Sequence, residues 1–415
     1  MKKRWLLTII PLFILVLALA GGFTLLWRFF IFLVVLLLLS RLWSRLSIRG
    51  ITARVKKTVD HRQIGDYFEE EFTVINNSRM PTPLVEVQED TDLPGYQNKM
   101  SFNLSSRGSY QWRTRPYCQH RGQFRVGGLN VKVTDPLGFF MTTERLGEPQ
   151  YTIVYPTPLE LPYFQVIPHQ ETGQNLRRWF ASEVGPNASR VREYTSGDSL
   201  RRIHWQSTAH TGKLVVKEFD PDRSHFAFKE IWLVLDMYRA SRLGDGDETT
   251  EEYSITIAAS LARKYINDEK RVGLIASGDR PDICLAGTGH RQLQNILRAL
   301  ALMKADGKVP IDNLLTFQAE RFSAGSVVVV IMSSDNRDIV APLRHAINRG
   351  VTVIAVLLDS LSFGGRTTAA STARNFVSAG FHVYIVRRGQ EIPAALDSRW
   401  LTPGIPYVGD RLSRV

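Results

Sequence analysis

The N-terminus constrains this chain most, because two long apolar runs stand there. They cover about Trp5–Ala20 and Phe23–Leu39, and Gly21-Gly22 separates them. Each run is near the lower limit of the roughly 17–25 residues that cross a hydrocarbon core. A central pair of glycines suits a tight turn between helices. Residues 1–48 are therefore predicted to form a transmembrane helical hairpin.

Basic residues flank the hairpin at both ends. They are Lys2, Lys3 and Arg4 before the first run, and Arg41, Arg45 and Arg49 after the second. The positive-inside rule predicts both ends in the cytoplasm, with the soluble domains on the cytoplasmic face of a bacterial inner (plasma) membrane. Two alternatives stay open. Ala18-Leu19-Ala20 resembles a signal-peptide cleavage site, and a single long tilted helix would export the rest of the chain.

The formal charge of +12 is concentrated in this segment. Of the 52 basic residues, seven lie in residues 1–50, which contain no acid, and the remaining 45 accompany 40 acidic residues. The basic excess is thus explained mainly by membrane flanks, and a nucleic-acid partner is not expected.

Two regions with different sequence patterns follow the hairpin. Residues 49–165 contain short alternating runs such as FTVINNS and YTIVYP, separated by Gly, Pro and Asn, which predict an all-β, sandwich-like domain. Residues 228–415 alternate apolar runs such as KEIWLVLDM and SVVVVIMSSD with amphipathic helical stretches. That pattern predicts a doubly wound α/β domain with a parallel sheet. Its ligand crevice is expected at the carboxyl ends of the strands, where Asp236, Ser333, Ser334, Asp335 and Asp359 fall.

Residues 166–227 lie between these domains and carry a basic segment. Residues 174–217 have a net charge of +5. One interpretation is a docking surface for an acidic partner or a phosphate. The other is that its arginines pair with Glu193, Asp198 and Glu218 and tie the flanking domains together.

The same segment carries a resemblance. Its pattern is R-x-Y-x-x-G-D-x-x-R-x-I-x-W followed by a short strand, which resembles the signature of the domain of unknown function 58 family. Upstream, His120-Arg121-Gly122 and Asp135-Pro136-Leu137-Gly138-Phe139-Phe140 resemble another stretch of that family. The signature and interaction residues are predicted to be Arg192, Tyr194, Gly197, Asp198, Arg201, Arg202, His204, Trp205, Lys217 and Glu218.

The resemblance implies a von Willebrand A-like fold for the C-terminal domain. Such domains often bind Mg²⁺ through a D-x-S-x-S loop, with a Thr and an Asp from later loops. Here Asp236 occupies the Asp position of this motif, but Tyr238 and Ala240 occupy the two Ser positions. Asp335 is a candidate for the later Asp, and Thr288 for the Thr. A degenerate Mg²⁺ site at Asp236 and Asp335 is one interpretation; the other is that both carboxylates accept backbone hydrogen bonds at helix starts.

Enzyme motifs find little support in the sequence. No GxxxxGK[ST] phosphate loop and no G-x-S-x-G elbow occurs. Cys118 and His120 are spaced to share one face of a strand, but no third residue is apparent to orient them. No catalytic residue and no resident cofactor, apart from the Mg²⁺ considered above, are therefore predicted.

The expected function is that of a membrane-anchored, non-enzymatic adaptor or scaffold that binds a protein partner. The resemblance implies a partner, since members of the family look like companions of MoxR-type AAA+ ATPases. The alternative is a divalent-metal-dependent binding module with a degenerate metal-ion-dependent adhesion-type site.

Overall fold

The computed structural model describes residues 2–21, 23–57, 62–166, 190–195, 203–218, 228, 230–277, 281–333, 339–398 and 407–408. Contacts divide the chain into two units. The first comprises Met1–Thr157 and Leu297–Met303, and the second comprises Pro158–Ile296 and Lys304–Val415.

The first unit begins with helices α1 (Lys2–Gly21) and α2 (Thr24–Arg49). Among the described residues, α2 is the one helix that is long and apolar enough to cross a membrane. A signal sequence near an N-terminus has the same properties. Helix α1 contains the shorter apolar stretch Leu7–Gly21.

Ten short strands follow, as alternation with turn residues predicts. They are β1 (Ile51–Lys57), β2 (Arg62–Gln63), β3 (Glu70–Asn76), β4 (Thr82–Asp90), β5 (Lys99–Leu104), β6 (Ser109–Thr114), β7 (Gly122–Val126), β8 (Gly128–Thr134), β9 (Met141–Leu146) and β10 (Gln150–Tyr155). They form three sheets, ordered β1-β3-β6, β2-β10-β7 and β5-β4-β8-β9. Period-two burial is clearest in β3, where Phe72 and Val74 enter the core and meet Val85 and Val131.

The C-terminal end of α2 is part of this unit. Ser40, Ser44, Ser47 and Ile48 are its buried residues, at a spacing that defines one helix face. Ile48 joins the core cluster that contains Phe72. The Ser44 hydroxyl lies 2.7 Å from the Thr142 hydroxyl of β9. Small side chains let the helix approach β8 and β9 closely, so helix and sheet are packed together.

The second unit contains a mixed sheet and two small antiparallel pairs. The seven-stranded sheet has the order β17-β16-β13-β18-β19-β20-β21. The strands of the second unit are β11 (Arg190–Glu193), β12 (Val215–Glu218), β13 (Glu230–Leu235), β14 (Gly244–Asp245), β15 (Glu248–Thr249), β16 (Arg271–Ser277), β17 (Pro281–Gly287), β18 (Val327–Ser333), β19 (Thr352–Leu358), β20 (His382–Val386) and β21 (Tyr407–Val408). All neighbours in the large sheet are parallel except β17, which is antiparallel to β16.

Helices cover both faces of the large sheet. They are α4 (Thr250–Asn267), α6 (Ile311–Gln318), α7 (Val340–Asn348), α8 (Ala369–Ser378) and α9 (Ile392–Ala395), while α3 (Trp205–Thr211) follows β11 and α5 (Gly289–Leu302) has residues in both units. Trp232 and Val234 share a core cluster with residues of α6, α7 and α8. Since side chains alternate along a strand, Ile231, Leu233 and Leu235 face the opposite side, and α4 contacts β13, β16 and β18.

Most elements predicted from the sequence in this region are present. The antiparallel edge strand β17 and the short helix α6 are additions to that prediction. The α/β character is confirmed, and the sheet is mixed rather than wholly parallel.

Candidate functional site

The carboxyl ends of three adjacent strands bring polar side chains to one edge of the sheet. Asp236 follows β13, Ser333 ends β18 and Asp359 follows β19. These strands are parallel neighbours, so their ends lie together as predicted. Ser334 and Asp335 lie outside the described residues.

Asp236 is one of two buried carboxylates at this edge, the other being Asp359. Asp236 is only 6% exposed. Its Oδ1 accepts a hydrogen bond from the Tyr238 N–H at 3.2 Å, whereas its buried Oδ2 has no hydrogen-bond partner. Burial, which disfavours the charged form, raises the pKa of Asp236 to about 6, and hydrogen bonds from Ser241 and the Tyr238 N–H oppose the shift.

The loop after Asp236 is held by a second backbone segment. The Gly307 N–H donates to the Met237 carbonyl at 3.0 Å, and the Arg239 N–H donates to the Gly307 carbonyl at 2.9 Å. A single 3₁₀ turn, Arg239–Ser241, follows. The hydroxyl near the carboxylate therefore comes from Ser241, one position beyond the Ala240 that stands at the predicted Ser position.

Asp312 supplies a second carboxylate. It lies in the first turn of α6, its Oδ1 is buried without a hydrogen-bond partner, and its charge raises the pKa of Asp236. Two buried carboxylate oxygens without donors could be satisfied by a hard cation. Among the described residues, however, no group of three His, Cys, Asp or Glu side chains converges in a way that could hold a metal.

The two other strand-end residues that the structure describes, Asp359 and Ser333, contact neighbouring parts of the fold. Asp359 Oδ1 accepts the Ala369 N–H at 2.7 Å at the start of α8, and its Oδ2 lies 3.8 Å from Arg387 Nε. The Ser333 hydroxyl lies 2.7 Å from that of Ser360, and both residues are buried.

Thr288 lies at the amino ends of the parallel strands, opposite the carboxyl ends where Asp236 lies. It follows β17, whose Gly287 pairs with Val272 at the start of β16. The antiparallel direction of β17 thus carries Thr288 away from Asp236, and its candidacy as a ligand beside Asp236 is wrong.

The signature segment forms a hairpin with a short helix. In β11 and β12, Arg192 pairs with Val216 and Val191 pairs with Lys217. The Tyr194 N–H donates to the Leu214 carbonyl at 2.9 Å, and Tyr194 is half-buried. Lys217 and Glu218 lie on β12. Gly197, Asp198, Arg201 and Arg202 lie outside the described residues, so the proposed arginine pairing stays a prediction.

His204 and Trp205 begin the helix of this module. His204 is its N-cap, because its Nδ1 accepts the Ser207 N–H at 3.2 Å and lies 2.7 Å from the Ser207 hydroxyl. The backbone N–H of His204 donates a hydrogen bond to the Val215 carbonyl at 2.8 Å. This bond holds the start of the helix against β12. Trp205 is 67% exposed, so its indole presents a large apolar surface to solvent.

Cys118 has no sign of catalytic activation. It is fully buried, and burial raises the pKa of its thiol, although Arg62 opposes the shift. A buried thiol with a raised pKa is a poor nucleophile.

Known proteins resemble part of this chain. Residues 190–360 match the family described as protein of unknown function DUF58. The uncharacterized protein YeaD of Bacillus subtilis is 25% identical over 51% of this chain and 49% of its own length. The uncharacterized protein Rv1480 of Mycobacterium tuberculosis is 30% identical over 42% of this chain and 55% of its own length. The matches thus span about half the length of these relatives.

A solved structure similar to part of the chain is the CARDB domain of a Pyrococcus furiosus protein. It is 18% identical, covers 26% of this chain and 91% of that domain, and has a TM-score of 0.19. Likeness at that level carries no functional argument. The hairpin of Arg192 and the strand ends at Asp236 and Asp359 all lie within the matched region 190–360. Through those residues, the chain is similar to the DUF58 family of proteins of unknown function, whose model matches residues 190–360.

Proposed function

We propose that this protein is a membrane-anchored, non-enzymatic adaptor that binds a protein partner at the cytoplasmic face of the inner membrane. One observation carries the proposal: α2 is a membrane-capable helix whose end is built into a folded unit. Its residues before Ser40 expose apolar side chains such as Val35 and Leu38, while Ser44 and Ile48 are buried against the β-sheet unit. This packing supports a role for α2 as an anchor rather than as a removable leader.

The orientation follows from the basic flanks. In the proposed arrangement α1 and α2 form a hairpin, with Lys2, Lys3 and Arg4 at one end and Arg41, Arg45 and Arg49 at the other. Positive residues are retained on the cytoplasmic side. Both folded units would then face the cytoplasm.

The proposed binding surface is the signature module, which consists of β11, α3 and β12. Trp205 and Leu214 are both exposed, and they belong to one module in which α3 packs on β12. Exposed tryptophans are frequent energetic anchors at protein interfaces. The family resemblance supports a MoxR-type AAA+ ATPase as the partner and a von Willebrand A-like fold for the α/β unit.

Site-specific photocrosslinking in native membranes tests the proposal. Trp205 is replaced by p-benzoylphenylalanine, and captured proteins are identified by mass spectrometry. Phe317, an exposed aromatic residue of α6, is the matched control position. We expect an AAA+ ATPase adduct at position 205 that is absent at position 317. Equal capture at both positions, or none at 205, would contradict the proposed surface.

A second candidate is a metal-dependent binding module. The unpartnered Oδ2 of Asp236 and Oδ1 of Asp312 favour it. Titration calorimetry with Mg²⁺ on the detergent-solubilised chain would show saturable heat that Asp236→Ala abolishes and that Asp306→Ala, at an exposed carboxylate, preserves. An absence of saturable heat would end this candidate.

A further inference from the structure

The turn between β8 and β9 is tightly held. Asp135 organises it: its Oδ2 accepts the Leu137 N–H at 3.0 Å and its Oδ1 accepts the Phe140 N–H at 2.5 Å. The Asp135 N–H donates to the Phe140 carbonyl at 3.1 Å, and Gly138 supplies the positive φ of 73° that the reversal requires. The side chains of this turn are therefore presented in a fixed arrangement.

Those side chains are apolar and exposed. Leu137 is 50% exposed, Phe139 40% and Met141 50%. Single exposed apolar residues are ordinary on protein surfaces. Three within five residues, on a turn whose backbone is fixed by a buried aspartate, form a local apolar patch of the kind that marks an interaction site.

Helix α2 fixes where this patch lies. The Ser40 hydroxyl donates to the Asp135 carboxylate, and four residues later Ser44 reaches Thr142 of β9. Two turns beyond Ser40, Ile48 is already in the core of the β-sheet unit. From Arg49 back to Ser40, the helix thus runs along the hairpin toward its turn.

Beyond Ser40, in the N-terminal direction, α2 no longer buries residues in the β-sheet unit. Leu38 and Leu39 are exposed, and the apolar stretch begins there. The Arg41 guanidinium lies 5.9 Å from the centre of the Phe140 ring. Since the helix rises about 1.5 Å per residue, the turn lies beside the point where the apolar stretch ends.

We propose that the turn 136–141 is a second membrane contact, seated in the headgroup region of the bilayer that α2 crosses. Leu137 and Phe139 would enter the boundary between headgroups and acyl chains, and Arg41 beside them would meet lipid phosphates. The inference rests on the proposed anchoring through α2. We assign a lipid surface as the partner of this turn because of the position of the turn on α2. If α2 crosses the bilayer, the turn lies at the depth where the apolar stretch of the helix ends, which is the headgroup region.

Depth-dependent fluorescence quenching tests the inference. The full chain is reconstituted in vesicles of phosphatidylcholine and phosphatidylglycerol. Phe139→Cys is introduced with Cys284→Ser, because the remaining Cys118 is buried, and the new thiol is labelled with nitrobenzoxadiazole. Quenchers are a headgroup-attached nitroxide lipid and aqueous iodide. Two matched labels are Glu148→Cys, exposed at the other end of the same hairpin, and Val35→Cys in α2.

We expect nitroxide lipid to quench the label at position 139 and iodide to quench it at least threefold less than the label at position 148. Equal iodide quenching at both positions would overturn the proposal. Protection of position 139 from both quenchers would also overturn it, because a protein surface would then cover the turn. The label at position 35 separates the two claims. If iodide quenches this label, the proposed anchoring through α2 is wrong. If iodide does not quench the label at position 35 but does quench the label at position 139, only the proposed turn contact is wrong.

Discussion

At Asp236 the energetic cost of a buried carboxylate depends on pH. Its pKa rises from 3.8 to about 6, chiefly because burial removes water from the charged form. The folded state therefore holds the proton more tightly than the unfolded state. Stability contributed by this group is present below about pH 4 and is lost as the pH rises through about 6. At about 1.4 kcal/mol per pKa unit, the loss is roughly 2–3 kcal/mol.

Asp236→Asn should consequently stabilise the α/β unit at neutral pH. In chelator-containing buffer we expect the free energy of unfolding to rise by about 1–3 kcal/mol at pH 7.5 and to change little at pH 4. The free energy of unfolding is measured by urea titration, with hydrogen exchange in β13 and β18 as the readout. Asp306→Asn, at an exposed position, is the control and should have no such pH-dependent effect. Destabilisation at pH 7.5 would show that the charged carboxylate is satisfied in the folded protein.

Gly273 allows Trp232 to pack against β16. A Cβ at position 273 would lie 2.5 Å from ring atoms of Trp232, which is closer than real contacts. Gly273→Ala should therefore cost about 1–3 kcal/mol through overpacking. In a double-mutant cycle with Trp232→Leu, the glycine substitution should cost much less, because the ring is gone. Additive effects in urea titrations would contradict this contact.

At the scale of elements, the serine face of α2 connects the apolar part of this helix to the β-sheet unit. Ser44 is fully buried and contacts Thr142. Ser44→Leu should push the helix away from β8 and β9, because no space exists for the larger side chain. We expect at least tenfold faster hydrogen exchange in residues 141–146, with the protein still in the membrane fraction. Leu46→Ala, at an exposed position of the same helix, should leave exchange unchanged; equal effects of both would refute specific packing of the serine face.

The sequence predicts the central strands of the α/β unit because they are buried on both faces. Val327–Ser333 and Thr352–Leu358 are nearly continuous apolar runs, and such runs have few alternative structures. The edge strand β17 mixes Asp282, Cys284 and Leu285 and lacks that signal. The short helix α6 follows Pro310 and depends on Leu314 and Leu315 packing into the core.

The candidate site is less predictable because its parts meet only in three dimensions. Strand-end position identifies Asp236, but Ser241 reaches it through a 3₁₀ turn, and Asp312 acts on its pKa from a helix far along the chain. The spacing of Ser40, Ser44 and Ser47 at the end of α2 is a signal that predicts a packed helix face. A hairpin prediction that rests on the apolar runs alone overlooks this face.

At the scale of the whole molecule, the proposed function combines three parts. They are the apolar helix α2 as anchor, the β-sheet unit packed against its end, and the α/β unit with a signature module that exposes Trp205. In the proposed function, these parts together would present a binding surface at a membrane. The proposed function requires both folded units to be in the cytoplasm, where an ATP-dependent partner would have access to them.

Alkaline phosphatase fused after Val415 tests that requirement most directly, because the enzyme becomes active only after export. We predict an inactive fusion that sediments with the membrane fraction, while a fluorescent protein fused at the same position is bright. An active phosphatase fusion would place the folded units outside the cell and would contradict the proposed orientation together with its cytoplasmic partner.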